Sequence, residues 1–239
     1  MITLYAFPTP NNLKVVLALE ELGLPYDLKA VNIRQGEQKA EAFLALNQNG
    51  KVPVLVDSDG PEGELVLTES AAILVYLAEK TGRFLPARGA VRYQVLEWLA
   101  VQMCGVGPMF GQYTHFRVFA PKGNDYAESR YRTQAVRLFE ALDHRLGQTR
   151  FLGGEDYSIA DMATFPWTRD RSGKWGGDWG GYKNFNRWFD DVSARPAVSR
   201  MTAEMDKVWQ EDLVSIGAAP VEIRDRLLGR GEFAKAPSA

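Results

Sequence analysis

The chain has 239 residues, 46% of them apolar and 24% charged, with a net charge of −2 at pH 7. That is enough for one or two domains with a real core, and it lacks the basic excess that nucleic acid or an anionic membrane surface would require. No apolar run approaches the length of a bilayer, and the N-terminus lacks a basic region leading into an apolar stretch, so neither nucleic acid nor a membrane is expected as a partner. The one cysteine, Cys104, excludes an intrachain disulfide and fits a reducing, cytoplasmic setting. Two histidines and one cysteine, far apart, give no zinc-ligand spacing, so no metal is expected.

In chain order, Ile2 to Phe7 predicts a strand, which stops at Pro8-Thr-Pro10. Leu13, Val16, Leu17 and Leu19 then line one face of a helix near 11–23, closed by Gly23 and Pro25. Tyr26–Ile33 predicts a second strand, 40–46 a short helix, and Val52–Val56 a third strand after the turn signal Asn47-Gln-Asn-Gly50. Ser58–Gly63 is a hairpin-like loop, Leu65–Leu67 a last strand, and 69–80 a helix ending at Gly82. The order β-α-β-α-β-β-α is that of a thioredoxin-like domain over residues 1–82. A linker at 81–86 follows.

From 88 to 215 the signal is helical, with candidates at 89–118, 125–147, 159–169, 182–194 and 197–211. Ser158-Ile-Ala-Asp161 is a capping box, a device of helix initiation rather than of chemistry. The loop 171–182, rich in glycine, carries Trp175 and Trp179, which line a cleft or cover the core. The tail, 216–239, reads as peripheral or extended. The fold class is therefore α/β followed by all-α.

Three features carry the functional expectation. The turn after the first strand puts Thr9 and Asn11 beside the unpaired N–H groups and positive dipole of a helix start. A thioredoxin-like turn usually holds a reactive cysteine there; here it holds a hydroxyl and an amide, so a catalytic sulfur would have to come from a ligand. Second, Val52-Pro53 interrupts an apolar strand. It is either an ordinary edge strand or a cis-proline that offers the backbone of Val52 to an extended peptide. Third, Thr68-Glu-Ser70 opens a helix. It either caps that helix or grips an α-amino acid terminus, Ser70 on the carboxylate and Glu69 on the ammonium. Tyr5 alternates with core positions, Cys104 reads as buried packing, and His115 as a surface, interface or pocket-border residue.

This arrangement resembles the glutathione site of the cytosolic glutathione transferases over residues 1–215. Pro8-Thr-Pro-Asn11, Gly36-Glu-Gln38, Asn47–Pro53, Thr68-Glu-Ser70, Gly107–Gln112, Tyr126–Tyr131 and Leu152–Asp161 resemble the Nu class. That class comprises the bacterial glutathione-dependent disulfide-bond oxidoreductases, near relatives of the fungal nitrogen-regulator proteins. The resemblance implies that Thr9 and Asn11 hydrogen-bond the glutathione sulfur, donors that lower a thiol pKa. It implies Gln38 and Lys51 at the glycyl end, Val52 and Pro53 at the cysteinyl backbone, and Glu69 with Ser70 at the γ-glutamyl end. Arg130 would reach the site from its own subunit or across a homodimer. The activity implied is disulfide reduction using glutathione, with glutathione disulfide as product and a small disulfide as second substrate. Conjugation to an electrophile, peroxide reduction and a non-catalytic regulator are the other activities it allows.

Overall fold

The computed structural model describes residues 1–169, 181–210 and 220–234. Four strands form one mixed sheet in the order β2-β1-β3-β4. β1 (Ile2–Ala6) runs parallel to β2 (Tyr26–Ala30) and antiparallel to β3 (Val54–Gly60), which pairs antiparallel with β4 (Gly63–Thr68). Ile2, Leu4 and Ala6 alternate into one core with α1 (Pro10–Leu22) and α3 (Ser70–Thr81). On the other face Tyr5 packs edge-on to Phe43 of α2 (Glu41–Leu44), ring centroids 6.4 Å apart, beside Val31 and Val54. Tyr5 is thus a packing residue, as its alternation predicts.

Two expected strands are shorter than the sequence suggests. β2 ends at Ala30, where Val31 to Arg34 turn into the next loop, and β3 begins at Val54. Val52 and Pro53 stand ahead of β3, and the bond between them is cis.

The helical part starts with one rod, expected as a single helix at 89–118. It comprises α4 (Ala90–Val101), a π turn at Gln102–Val106, α5 (Gly107–Thr114) and a second π turn at His115–Phe119. Pro108 explains the first turn. It cannot donate to the carbonyl four residues back, and an inserted residue absorbs the misfit. The insertion turns Gln102 and Val106 inward and leaves Met103 and Cys104 exposed. Cys104 is therefore not the buried packing residue that an unbroken helix would make it.

Then follow α6 (Asp125–Gln148), α7 (Ile159–Thr168), α8 (Lys183–Ser193) and α9 (Pro196–Gln210), within two residues of their expected limits. The loop marked at 171–182, with Trp175 and Trp179, lies almost wholly outside the described residues. The tail is not extended: α10 (Val221–Leu228) and a 3-10 turn at Gly231–Phe233 form within it. Among the described residues no helix is long and apolar enough to cross a membrane.

Two contacts fix the frame around the site. α1 packs against α3 on its own side and against α7 and α9 from the helical part, so one apolar core runs through both. α7 is anchored by its capping box. Ala160 N donates to Ser158 Oγ, and Asp161 Oδ2 accepts from the backbone and hydroxyl of Ser158. Asp161 Oδ1 accepts from Leu152 N at 2.9 Å and Trp188 Nε1 at 2.8 Å, so the cap also ties in α8. Burial pushes the Asp161 carboxyl above its ordinary pKa, and these donors pull against that.

Asp161→Ala strands several buried donors at about 1–3 kcal/mol each. Chemical denaturation should show a loss on the order of 3–5 kcal/mol with an unchanged slope; a loss below about 1 kcal/mol would mean that these bonds matter little.

Candidate active site

Thr9 occupies the N-cap position of α1, yet its hydroxyl makes no cap bond. The oxygen instead accepts from Asn12 Nδ2 at 2.6 Å. Asn12 is fully buried although it sits in the first turn of the helix. A hydroxyl has one donor and two acceptor positions. With Asn12 on the oxygen, the Thr9 proton is left to point at whatever occupies the turn.

Asn11 follows the same rule. It is exposed, and its Oδ1 accepts from Trp167 Nε1 at 3.0 Å. An indole nitrogen can only donate, so the contact fixes the oxygen of the amide and leaves Nδ2 as the outward donor. Trp167 reaches across from the end of α7. Its ring lies against Gly107 and Gly111, where a Cβ would sit 3.6 and 3.4 Å away, at ordinary van der Waals contact. The motif Gly107–Gln112 thus acts on the site through packing.

The third polar group is Ser70, buried at the start of α3. Glu69, immediately before it, has φ 66 and ψ 110, a left-handed setting unusual for a residue with a side chain. Glu69 is exposed and makes no side-chain cap bond. The first helical N–H groups of α3 are therefore not closed by the capping that the sequence allowed as a rival reading. Ser70 Oγ accepts from Lys14 Nζ at 3.3 Å, and the same ammonium donates to Gln102 Oε1 at 2.7 Å. Lys14 is 2% exposed. Burial lowers its pKa to about 7, with the nearby Glu69 carboxylate acting in the opposite direction.

The remaining expected residues divide. Val52-Pro53 is cis, as the functional reading of that strand requires, and Lys51 is exposed beside it. Gln38 is turned inward: its Nε2 donates to Ile33 O at 3.2 Å and its buried Oε1 has no partner. It sits within the 3-10 turn at Glu37–Lys39, buried. Arg130 is exposed on α6, outside the contacts built around Thr9, Asn11 and Ser70. His115 is partly buried edge-on to Phe116, and burial, then Arg230, lowers its pKa.

The tail meets the site region at the loop before Gln38. Arg226 Nη1 donates to Gln35 O at 3.3 Å, and its Cδ lies 3.1 Å from where a Gly36 Cβ would be. Gly36 has φ 83 and accepts both constraints as glycine. Among the described residues no group of three or more His, Cys, Asp or Glu side chains could hold a metal ion.

Sequence reasoning missed Asn12, Lys14, Gln102 and Trp167. A signal existed for two of them. Asn12 and Lys14 fall in the same helical turns as Val15 to Leu19, where a charged or amide side chain must be buried and bonded.

Residues 10–80 match the family model for the glutathione S-transferase N-terminal domain, and 106–196 match that for the C-terminal domain. The disulfide-bond oxidoreductase YfcG of Escherichia coli K12 is 43% identical over 206 residues, covering 84% of this chain and 94% of its own. A glutathione transferase family member from Pseudomonas fluorescens, solved with two glutathione molecules bound, superposes with a TM-score of 0.80 at 41% identity, covering 84% of this chain and 91% of that one. A glutathione transferase from Pseudomonas putida, solved with one glutathione disulfide per subunit, gives 0.79 at 39% identity, covering 84% and 90%.

The Lys14 pKa gives stability a defined pH dependence. The folded chain releases this proton near pH 7, whereas the unfolded chain holds it to about 10.5. Between those values the unfolded state binds more protons, so folding is favoured as pH rises. From pH 7 to 9 the native chain should gain up to about 1.4 kcal/mol of unfolding free energy per pH unit relative to Lys14→Met. Parallel stability curves for the two would show that Lys14 titrates at its ordinary value.

Proposed function

Since this chain belongs to the glutathione S-transferase family, we propose that it is a glutathione-dependent disulfide-bond oxidoreductase that uses the thiolate of a bound glutathione as its nucleophile. One observation carries the reading. Thr9 and Asn11 both have their oxygens occupied by fixed donors, so each offers a proton at a turn that has no cysteine. Two donors aimed at one sulfur favour the thiolate over the thiol and hold it for attack. Cys104, exposed on the π turn, belongs to a different part of the chain.

The peptide lies along the cis Val52-Pro53 segment. Ser70 and the open N-terminus of α3 take the γ-glutamyl carboxylate, Glu69 takes the ammonium, and Lys51 the glycyl carboxylate. Gln38 borders the glycyl end through its backbone rather than its inward amide. Arg130 contributes from the exposed N-terminal part of α6.

The thiolate attacks one sulfur of a small disulfide, forming a mixed disulfide and expelling the other sulfur as a thiolate that takes a proton from water. A second glutathione thiolate attacks the glutathione sulfur of the mixed disulfide. Glutathione disulfide forms and the second substrate thiol leaves, so two thiols are oxidised as one disulfide is reduced. Relatives that hold two glutathiones or one glutathione disulfide support this two-thiol course. The setting proposed is a reducing cytoplasm, where glutathione is available as a thiol. A homodimer is proposed as well: Val66 on β4 and Val91 and Tyr93 on α4 are large apolar groups left exposed for a second copy to cover.

The purified chain should reduce 2-hydroxyethyl disulfide with glutathione well above the uncatalysed rate; binding of glutathione without such turnover would refute the reading. Asn11→Ala should lower turnover by about 100-fold or more, the worth of one donor to a developing or stabilised anion, with little change in glutathione affinity. Equal losses in the two constants would make Asn11 a general binding residue.

A further inference from the structure

Lys14 is a polar group of this region for which the proposed chemistry has no use. It is charged or neutral by a narrow margin, buried, and bonded to Ser70 in the thioredoxin-like part and to Gln102 in the helical part, 56 and 88 positions away. An ammonium is seldom buried in a helix core without a task, because removing it from water is costly. Structural support alone would be served by any apolar residue of similar length, as at Leu17 and Ala18, which follow on the same side of α1.

The surroundings narrow that task. In its charged form Lys14 donates to the oxygen of Ser70 and has no lone pair to accept the serine proton. That proton is directed to the open start of α3, where helical N–H groups have no cap. Gln102 holds the ammonium from the other side, and its own Nε2 is buried without a partner, so it is fixed by packing against Gly107. Few charges compete. Glu69 acts on Lys14 from α3, and the π turn contributes only the neutral Gln102. On α7, Asp161 is used by Leu152, Ser158 and Trp188. At the far end of α1, Glu20 and Glu21 pair with Arg200 and Arg195.

We propose that Lys14 is a positioning residue for the γ-glutamyl carboxylate: a buried ammonium behind Ser70 that turns the hydroxyl toward the ligand and takes up a proton when that carboxylate binds. The inference rests on the reading of Glu69 and Ser70 as the γ-glutamyl site. A carboxylate brought to Ser70 adds a negative charge next to Lys14 and favours its charged form. The proton is drawn from the buffer and returns to it when the ligand leaves. Gln102 makes the helical part of the chain a participant in binding by the thioredoxin-like part.

S-Methylglutathione tests this without a thiol that could itself titrate. Titration calorimetry at pH 7.5, in buffers of different ionisation heat, should show net proton uptake on binding. Affinity should fall as pH rises above 7, by up to tenfold per unit. In Lys14→Met the uptake should vanish, affinity at pH 6.5 should drop at least tenfold, and the pH profile should flatten. Gln102→Leu, which leaves the lysine in place, should shift the same profile.

Binding by the native chain with no proton uptake between pH 7 and 8 overturns the proposal whether or not the variants fold. So does a Lys14→Met chain that binds as tightly, with the same pH profile, as the native one. If affinity falls in Ser70→Ala but not in Lys14→Met, the γ-glutamyl reading survives and Lys14 alone is refuted. If the native chain does not bind S-methylglutathione, both fall together.

Discussion

The burial of α1 on every side is the constraint from which the site follows. The helix lies between α3 and the sheet on one hand and α7 and α9 on the other. In its first turns Asn11 is exposed and Pro10 and Leu13 partly so, while Asn12 and Lys14 are buried, so each of these two must find a protein partner or leave a stranded group at a cost. Asn12 turns back to Thr9, and Lys14 reaches forward to Ser70 and Gln102. These are bonds of necessity in folding terms. They also decide which atoms of Thr9 and Ser70 remain available. The same packing brings Trp167 over Asn11.

A common logic links the three polar residues at the cleft. Threonine, asparagine and serine can each donate or accept, and in water all of them would do both. Here each has its oxygen occupied from behind, by an amide, an indole or an ammonium. What these three residues leave free are donors, which suit anions. A thiolate and a carboxylate are the two anions that a γ-glutamylcysteinyl peptide can offer at neutral pH. Asn11 is held directly from the helical part by Trp167, and Ser70 indirectly, through a Lys14 that Gln102 also holds.

How much of this was legible in the sequence depends on the range over which each signal acts. Element order and the α7 capping box are local: glycine stops and hydrophobic period name them directly, whereas Pro53 marks a break in its strand without deciding between an edge strand and a cis bond. Thr9, Asn11, Glu69 and Ser70 were legible as polar residues at helix starts. The contacts behind them were not, because Gln102 is 88 residues from Lys14, and Trp167 is 156 from Asn11. Cys104 was misread for a related reason. Its side of the helix depends on one residue inserted at the π turn, and Pro108 announces the break without saying on which side it will be absorbed. In the tail, periodicity left α10 unmarked because it is short; Arg226 meets the chain at Gln35 and Gly36.

The site is also where the chain departs from the rules that its fold otherwise obeys. Glu69 adopts a left-handed backbone that costs on the order of 1–3 kcal/mol in a residue with a side chain. Lys14 is buried, and Asn12 Oδ1 and Gln102 Nε2 are buried without partners. Such departures persist only where the surrounding structure over-determines them, and they concentrate where a ligand is handled. A protein that carries its own cysteine fixes the nucleophile by a covalent bond. A protein that borrows its sulfur must fix it by fields and hydrogen bonds instead, and those demand oriented polar groups in a region that folding would rather fill with leucine. The destabilising features gathered around α1 are therefore what a borrowed nucleophile requires. They explain why the cleft is lined by polar groups held from behind while the rest of that helix is apolar.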